Sequence, residues 1–319
     1  LLEDKDQYLY IYQISMGTHV QTGIIAAVSV EEYDSGIIKK HEYTRPEKED
    51  DRTIHIQLTK ANTGPVFLTF RNDGSFNNQV SGIINEDKDI SFKADDGTLH
   101  SIWRIQDSNT INEISAYFKR VKSLYIADGH HRAASASRVH KEMTKNYFLA
   151  TIFPHDEMQI MGYNRVVKDL CGLSDEQFIN KLKEKFDIQK LSNKRGPKER
   201  FSFTMLLGNH WYCLTAKKQI IKEDSVLRLD ASILQNHILK PILKIEDPRT
   251  DKRIDFVGGI RGLEELERRC SSDAKVAFVL YPVSIEDLFR VSDDNKVMPP
   301  KSTWFEPKLR SGLIVRFLD

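Results

Sequence analysis

The chain has 319 residues but only three cysteines, Cys171, Cys213 and Cys270, and these lie far apart. They are odd in number and no two stand at the short spacing of metal ligands, so a zinc site is not expected and a reduced, cytoplasmic setting is. Long hydrophobic runs are missing as well. VAFVLYPV at 276–283 is far short of the ~20 apolar residues a membrane-spanning helix needs, so a membrane role is set aside. There is no excess of one charge: 47 Lys plus Arg stand against 46 Asp plus Glu. Without a global basic field nucleic acid is not an expected partner, and any anion site has to be local. GxxxxGK[ST] is absent, as are the kinase signatures GxGxxG, HRD and DFG, so a mononucleotide is not the default ligand. HEYT at 41–44 lacks the second histidine of HExxH, which removes a metalloprotease. The first residue is Leu1 rather than Met, so the sequence is expected to begin inside a longer product.

What is present is ordinary for a soluble protein, 40% hydrophobic and 29% charged, with enough chain for two or three packed lobes. YLYIYQI and GIIAAVSV, between Tyr8 and Val30, read as two paired strands around the turn-like MGTHVQTG. A charged surface loop interrupted by Pro46 follows, then a helix from Asp50 to about Lys60. PVFLTF, LHSIWRI and YFLATIF read as strands, as does 159–167, and Ile111, Ile114 and Phe118 form one helical face. The capping box Ser174-x-x-Gln177 opens a helix carrying Phe178, Ile179, Leu182 and Phe186 on one side. FSFTMLL and WYCLTAK form a hairpin across Gly208-Asn209. Alternating helices and strands predict a mixed α/β (α+β) protein, divided into a first domain, 1–168, and a second α/β domain, 169–319, closing over the active site.

The richest local signal is LYIADGHHR, residues 124–132, running into AASASRVHKEM. A strand turns through Asp128 and Gly129 directly into a helix N-terminus. Backbone donors and the positive end of the helix dipole face the same space there, which attracts anions. His130, His131 and Arg132 make phosphate the natural guest. An isolated Asp-Gly pair would read as a cap and a turn; the HHR that follows moves the reading towards function. Glu42 in KKHEYTR is a carboxylate among cations, able to act as a base where anionic substrates gather, although composition alone fits a solvated charged loop. Lys301, Ser302 and Thr303, held extended by Pro299 and Pro300, offer an ammonium and hydroxyls to phosphate oxygens.

Five ordered stretches, KKHEYTRPEKEDDR, NTGPVFLTF, LYIADGHHRAASA, DFVGG and MPPKSTWFEPKL, resemble the DUF1015-type family, some members of which are pyrophosphate-dependent L-serine kinases. DGHHR is also similar to the phosphate-binding turn of the ParB and sulfiredoxin superfamily and of its ADP-dependent free-serine kinases. The resemblance implies a mixed-sheet, ParB/sulfiredoxin-like catalytic lobe and transfer of a phosphoryl group from pyrophosphate to free L-serine, giving O-phospho-L-serine, a precursor type in cysteine biosynthesis. It places Glu42 at the catalytic glutamate, assisted by Asp128, and Gly129, His130, His131 and Arg132 in the phosphate loop. Lys301, Ser302 and Thr303 add phosphate contacts, and His41, Thr44, Arg45 and Arg52 bind substrate. Mg²⁺ bridged by phosphate oxygens, with Asp128 as a candidate ligand, is the implied cofactor. ADP or ATP as donor, or a non-catalytic ParB-like module, are the alternatives. Relatives often carry histidine where Asn164 stands in GYNRVV, so no ionisable role is expected there, and the family's N-terminal segment is expected to be missing.

Overall fold

The computed structural model describes residues 3–143 and 146–318. The chain divides into two compact units, Leu1–Gln159 with Phe305–Asp319, and Ile160–Trp304. This differs from the expected division at 168/169, because the strand Tyr163–Val167 joins the second sheet and the last residues belong with the first unit.

The first unit begins with β1 (Leu9–Met16) and β2 (His19–Ser29), paired antiparallel so that Met16 faces His19. The turn is therefore only Gly17 and Thr18, with Gly17 at φ 61°, and most of the predicted loop MGTHVQTG is strand. There follow α1 (Val30–Asp34), β3 (Ile38–Lys39), α2 (Pro46–Thr59), β4 (Ala61–Asn62) and β5 (Val66–Phe70). Pro46, read as an interruption, instead occupies the first turn of α2, where its missing N–H has no cost and its fixed φ suits a helix. Then come α3 (Ser75–Ser81), β6 (Ile90–Lys93), β7 (Leu99–Ile105), α4 (Ser108–Phe118), β8 (Leu124–Asp128), α5 (His130–Met143) and β9 (Tyr147–Pro154).

Eight of these strands form one mixed sheet in the order β3-β8-β5-β9-β2-β1-β7-β6. β3 runs parallel to β8 and β5 parallel to β9, while the other pairs are antiparallel. Its interior strand β5 is buried at every position, so both faces are covered, and the main core cluster includes the fully buried Ile11, Leu68, Phe70, Ile126 and Ala150. The small residues Ala133, Ala134, Ser135, Ala136 and Ser137 bury most of α5; with so little side chain between backbones, a helix approaches its neighbours closely. α2 packs on it, and the Ser135 hydroxyl donates to the Glu49 carbonyl at 3.0 Å.

The second unit holds a six-stranded antiparallel sheet in the order Phe186–Lys190, His210–Ala216, Ser202–Leu207, Val276–Leu280, Tyr163–Val167, Ile254–Gly258. Its core includes Phe178, Phe203, Leu214, Ile238 and Phe278. The predicted hairpin is present, with Gly208 and Asn209 both at positive φ, 54° and 61°, as a two-residue turn of the twisted type requires. The Ser174–Gln177 capping box is formed. Its helix stops at Leu182, however, and Phe186 starts the next strand. Among the described residues no helix is long and apolar enough to cross a membrane.

Candidate active site

The two distant segments singled out in the sequence meet because β3 and β8 pair in parallel, Ile38 opposite Leu124 and Lys39 opposite Tyr125. Parallel pairing carries both chains forward in step, so residues 41–45 emerge beside the turn that ends β8. Two hydrogen bonds then join loop to turn: the His41 N–H donates to His130 Nε2 at 3.4 Å and the Arg45 N–H to His131 Nε2 at 3.0 Å. The His41 and His130 rings stand perpendicular, 4.5 Å between centroids. The Glu42 carboxylate lies with the ring nitrogens of His41 and His130 in one cluster, ligand atoms within 4.8 Å of one another.

The hydrogen bonds of this junction set the protonation of the two imidazoles that the sequence reading offers to phosphate. Both His130 and His131 use Nε2 as an acceptor, and an accepting nitrogen carries no proton. His41 and His130 are almost completely buried. Burial pushes the His41 pKa down to about 4, and burial, with the neighbouring His41, His131 and Lys40, holds His130 well below the usual histidine range. Removing water disfavours the charged form of an imidazole.

The turn is built on Gly129, whose φ of 97° is open to glycine alone, and a Cβ there would sit 3.4 Å from the Val66 Cα. The partner strand β5 is irregular at this point, its register shifting between Phe67 and Leu68 opposite Asp128. Bulges of this kind recur beside functional sites because they re-aim a side chain. A cavity of about 330 Å³ lies here, lined by Arg52, Pro65, Phe67, Asp128, Gly129, His131, Arg132, Lys308 and Leu309. The N-terminal end of α5, with its partial positive charge, therefore borders it.

Three cations and one carboxylate line this space. Asp128 accepts from the Gly129 N–H at 2.7 Å and from the Lys308 ammonium at 2.9 Å. Desolvation pushes its carboxyl up, but Lys308, the Gly129 N–H and Arg132 outweigh that and hold it below its usual value. Arg132 is fixed by donating to the Pro65 carbonyl at 2.8 Å and to Ser311 Oγ at 2.9 Å. Gly64 makes room for it: a Cβ there would meet Arg132 Nη1 at 2.8 Å and Ser311 Oγ at 2.7 Å. Burial and then the like charge of Arg52 lower the Arg132 pKa, with Asp128 offsetting only part. An anion in the cavity would relieve that repulsion. A second cavity, of about 240 Å³, shares Arg52 and Arg132 and is lined beyond them by His55, Asn62, Phe148 and Leu149.

The other residues named from the sequence do not line either cavity. Thr44 donates its hydroxyl to Glu49 at 2.9 Å, at the start of α2, and Arg45 is exposed. Lys301, Ser302 and Thr303 belong to the second unit. There Ser302 is buried with its hydroxyl donating to the Pro299 carbonyl at 2.6 Å, and the Lys301 ammonium lies 5.6 Å from the centre of the Tyr163 ring. Asn164, also in that unit, is buried and accepts from the Leu280 N–H at 3.3 Å. Lys308 is the site residue sequence reasoning missed. It sits in the MPPKSTWFEPKL stretch, but only the return of residues 305–319 to the first unit assigns it to Asp128.

No curated protein matches the chain. Among solved structures, SbnI with C-terminal truncation from Staphylococcus aureus is 13% identical, with TM-score 0.48 over 92% of this chain and 87% of that one. A free serine kinase in complex with AMP is 11% identical, with TM-score 0.42 over 88% and 86%. A conserved hypothetical protein from Pyrococcus furiosus is 12% identical, with TM-score 0.43 over 90% and 93%. Residues 1–232 match the family described as "Protein of unknown function (DUF1015)", and the chain belongs to that family.

Proposed function

We propose that the protein is a phosphotransferase that moves a phosphoryl group from pyrophosphate to the hydroxyl of free L-serine, yielding O-phospho-L-serine and orthophosphate. The observation that carries this reading is the meeting of Glu42 with His130 in the same turn whose neighbours, Gly129, His131 and Arg132, line a cavity with Arg52 and Lys308. Pyrophosphate is small and highly charged. Arg52, Arg132, Lys308 and the N-terminal end of α5 supply the positive groups that would hold it, and phosphoryl transfer depends chiefly on positioning and on neutralising charge. Glu42 would take the proton of the serine hydroxyl as its oxygen attacks phosphorus, and the bond to the departing phosphate breaks. Arg45, exposed beside this loop, is the candidate partner of the serine carboxylate.

Asp128, already an ion-pair partner of Lys308 and held ionised, would orient that ammonium rather than serve as the base. Its carboxylate is also the hard oxygen donor that Mg²⁺ takes, and together with phosphate oxygens of the donor it would hold the ion. Bound Mg²⁺ supplies charge neutralisation on the donor.

The test is direct: purified protein with L-serine and Mg²⁺ is offered pyrophosphate, ADP or ATP, and phosphoserine is read by ³¹P NMR. Product from pyrophosphate supports the reading, product from ADP or ATP alone replaces the donor, and no product from any donor refutes the kinase. Glu42→Gln is expected to lower turnover by ~10²–10⁴-fold, the usual loss for a general base. Turnover close to wild type in a folded Glu42→Gln protein removes Glu42 from the reaction.

A further inference from the structure

We infer that His41, Glu42 and His130 form a binding site for a zinc-class divalent cation, distinct in chemistry from any Mg²⁺ carried by phosphate. The ligand atoms of the three residues lie within 4.8 Å of one another, and both imidazoles are buried while the carboxylate is half-buried. Adjacent residues on a strand point to opposite faces. Here β3 has ended at Lys39 and the chain bends at Glu42, which lets His41 and Glu42 turn to the same partner. His130 comes from the first turn of α5, a rigid element, so two of the donors sit on a short loop and the third on a scaffold.

Two imidazoles and one carboxylate make up the protein donor set of open zinc sites, which keep a further position for water or substrate. Donors about 2.1 Å from one tetrahedral centre lie about 3.4 Å apart, so closing this cluster on an ion takes side-chain rotations of about an ångström. The 3.4 Å hydrogen bond from the His41 N–H to His130 Nε2 is long, and a metal–imidazole bond is the stronger claim on that lone pair. Nitrogen donors select against Mg²⁺, which demands oxygen and gives up water reluctantly. The scarcity of cysteine argued against zinc from composition; histidine and carboxylate reopen it. The site stands whether or not the protein is a kinase. If it is one, a cation on Glu42 occupies the carboxylate that takes the serine proton, so occupancy and transfer exclude each other.

The experiment uses the whole protein stripped with a chelator, without serine or pyrophosphate. It is dialysed against Zn²⁺ in excess Mg²⁺, bound metal is counted by mass spectrometry, and Co²⁺ is titrated as a visible-absorbing substitute. One zinc per chain, not displaced by Mg²⁺, with visible Co²⁺ bands is expected. Glu42→Gln keeps the side-chain size and is expected to weaken Zn²⁺ binding by about 100-fold, at or beyond the loss seen when only a supporting residue is removed. Its fold is checked by circular dichroism, and His41→Gln provides a second arm. Failure of the wild-type protein to retain zinc overturns the site. So does unchanged affinity in folded Glu42→Gln, which would place the metal elsewhere.

Discussion

Asp230 offers a prediction whose magnitude can be worked from the structure. Its side chain is 7% exposed, Oδ1 accepts from the Phe201 N–H at 2.9 Å, and Oδ2 is buried with no hydrogen-bond partner among the described residues. Burial is the main reason its pKa rises from 3.8 to about 7; the Phe201 N–H and Arg200 oppose the rise and Asp287 adds to it. Arg200 gives little because it is already paired with Asp287 at 2.9 Å. A carboxyl whose folded pKa lies above its unfolded value binds more protons when folded. Its contribution to stability is therefore complete below about pH 4 and is lost as the pH rises through about 7. Each unit of difference is worth about 1.4 kcal/mol, so the loss between pH 5 and pH 8 is about 2–3 kcal/mol. Asp230→Asn keeps the acceptor for Phe201 and cannot ionise. Denaturant unfolding of both proteins at the two pH values should show the variant gaining on the wild type by that amount at pH 8. The gain should appear in the transition of the second unit if the two units melt separately. A difference between the proteins that is the same at pH 5 and pH 8 refutes the assignment of a raised pKa to Asp230.

Further outcomes follow from the first unit. Gly129→Ala, forced to hold a side chain at φ 97° and 3.4 Å from the Val66 Cα, should destabilise by about 1–3 kcal/mol in thermal unfolding; a neutral effect would mean the turn readily changes conformation. Lys308→Ala removes the ammonium that helps depress the Asp128 pKa. In an NMR titration the Asp128 pKa should rise, and calorimetry should show pyrophosphate affinity about tenfold weaker. Unchanged affinity would take Lys308 out of the anion site.

How much of this was legible in the sequence depends on how far apart the determining contacts lie. The strand–turn–helix at 124–143 was readable because its cause is local: a run of apolar residues, a glycine that tolerates positive φ, then the helix-like run AASASRVHKEM. Gln159–Val167 reads as one strand in the sequence, yet Gly162 divides it; a Cβ there would meet the Leu280 carbonyl oxygen at 2.5 Å, a constraint invisible without the neighbouring strand. The meeting of Glu42 with DGHHR rests on β3, a strand of only two residues. No periodicity can be read from so short an element, so only the family resemblance joined the two segments in advance. Lys308 shows the limit of that help, since a motif can place a residue in a site's family without saying which atom it touches. Its partner Asp128 stands 180 positions away, and the pairing exists because the chain, after building an entire second sheet, comes back to the first. That return also governs what truncation would do: a chain ending before Phe305 would lose Lys308 and the Ser311 anchor of Arg132 together, and with them much of the positive charge that makes the cavity attractive to an anion.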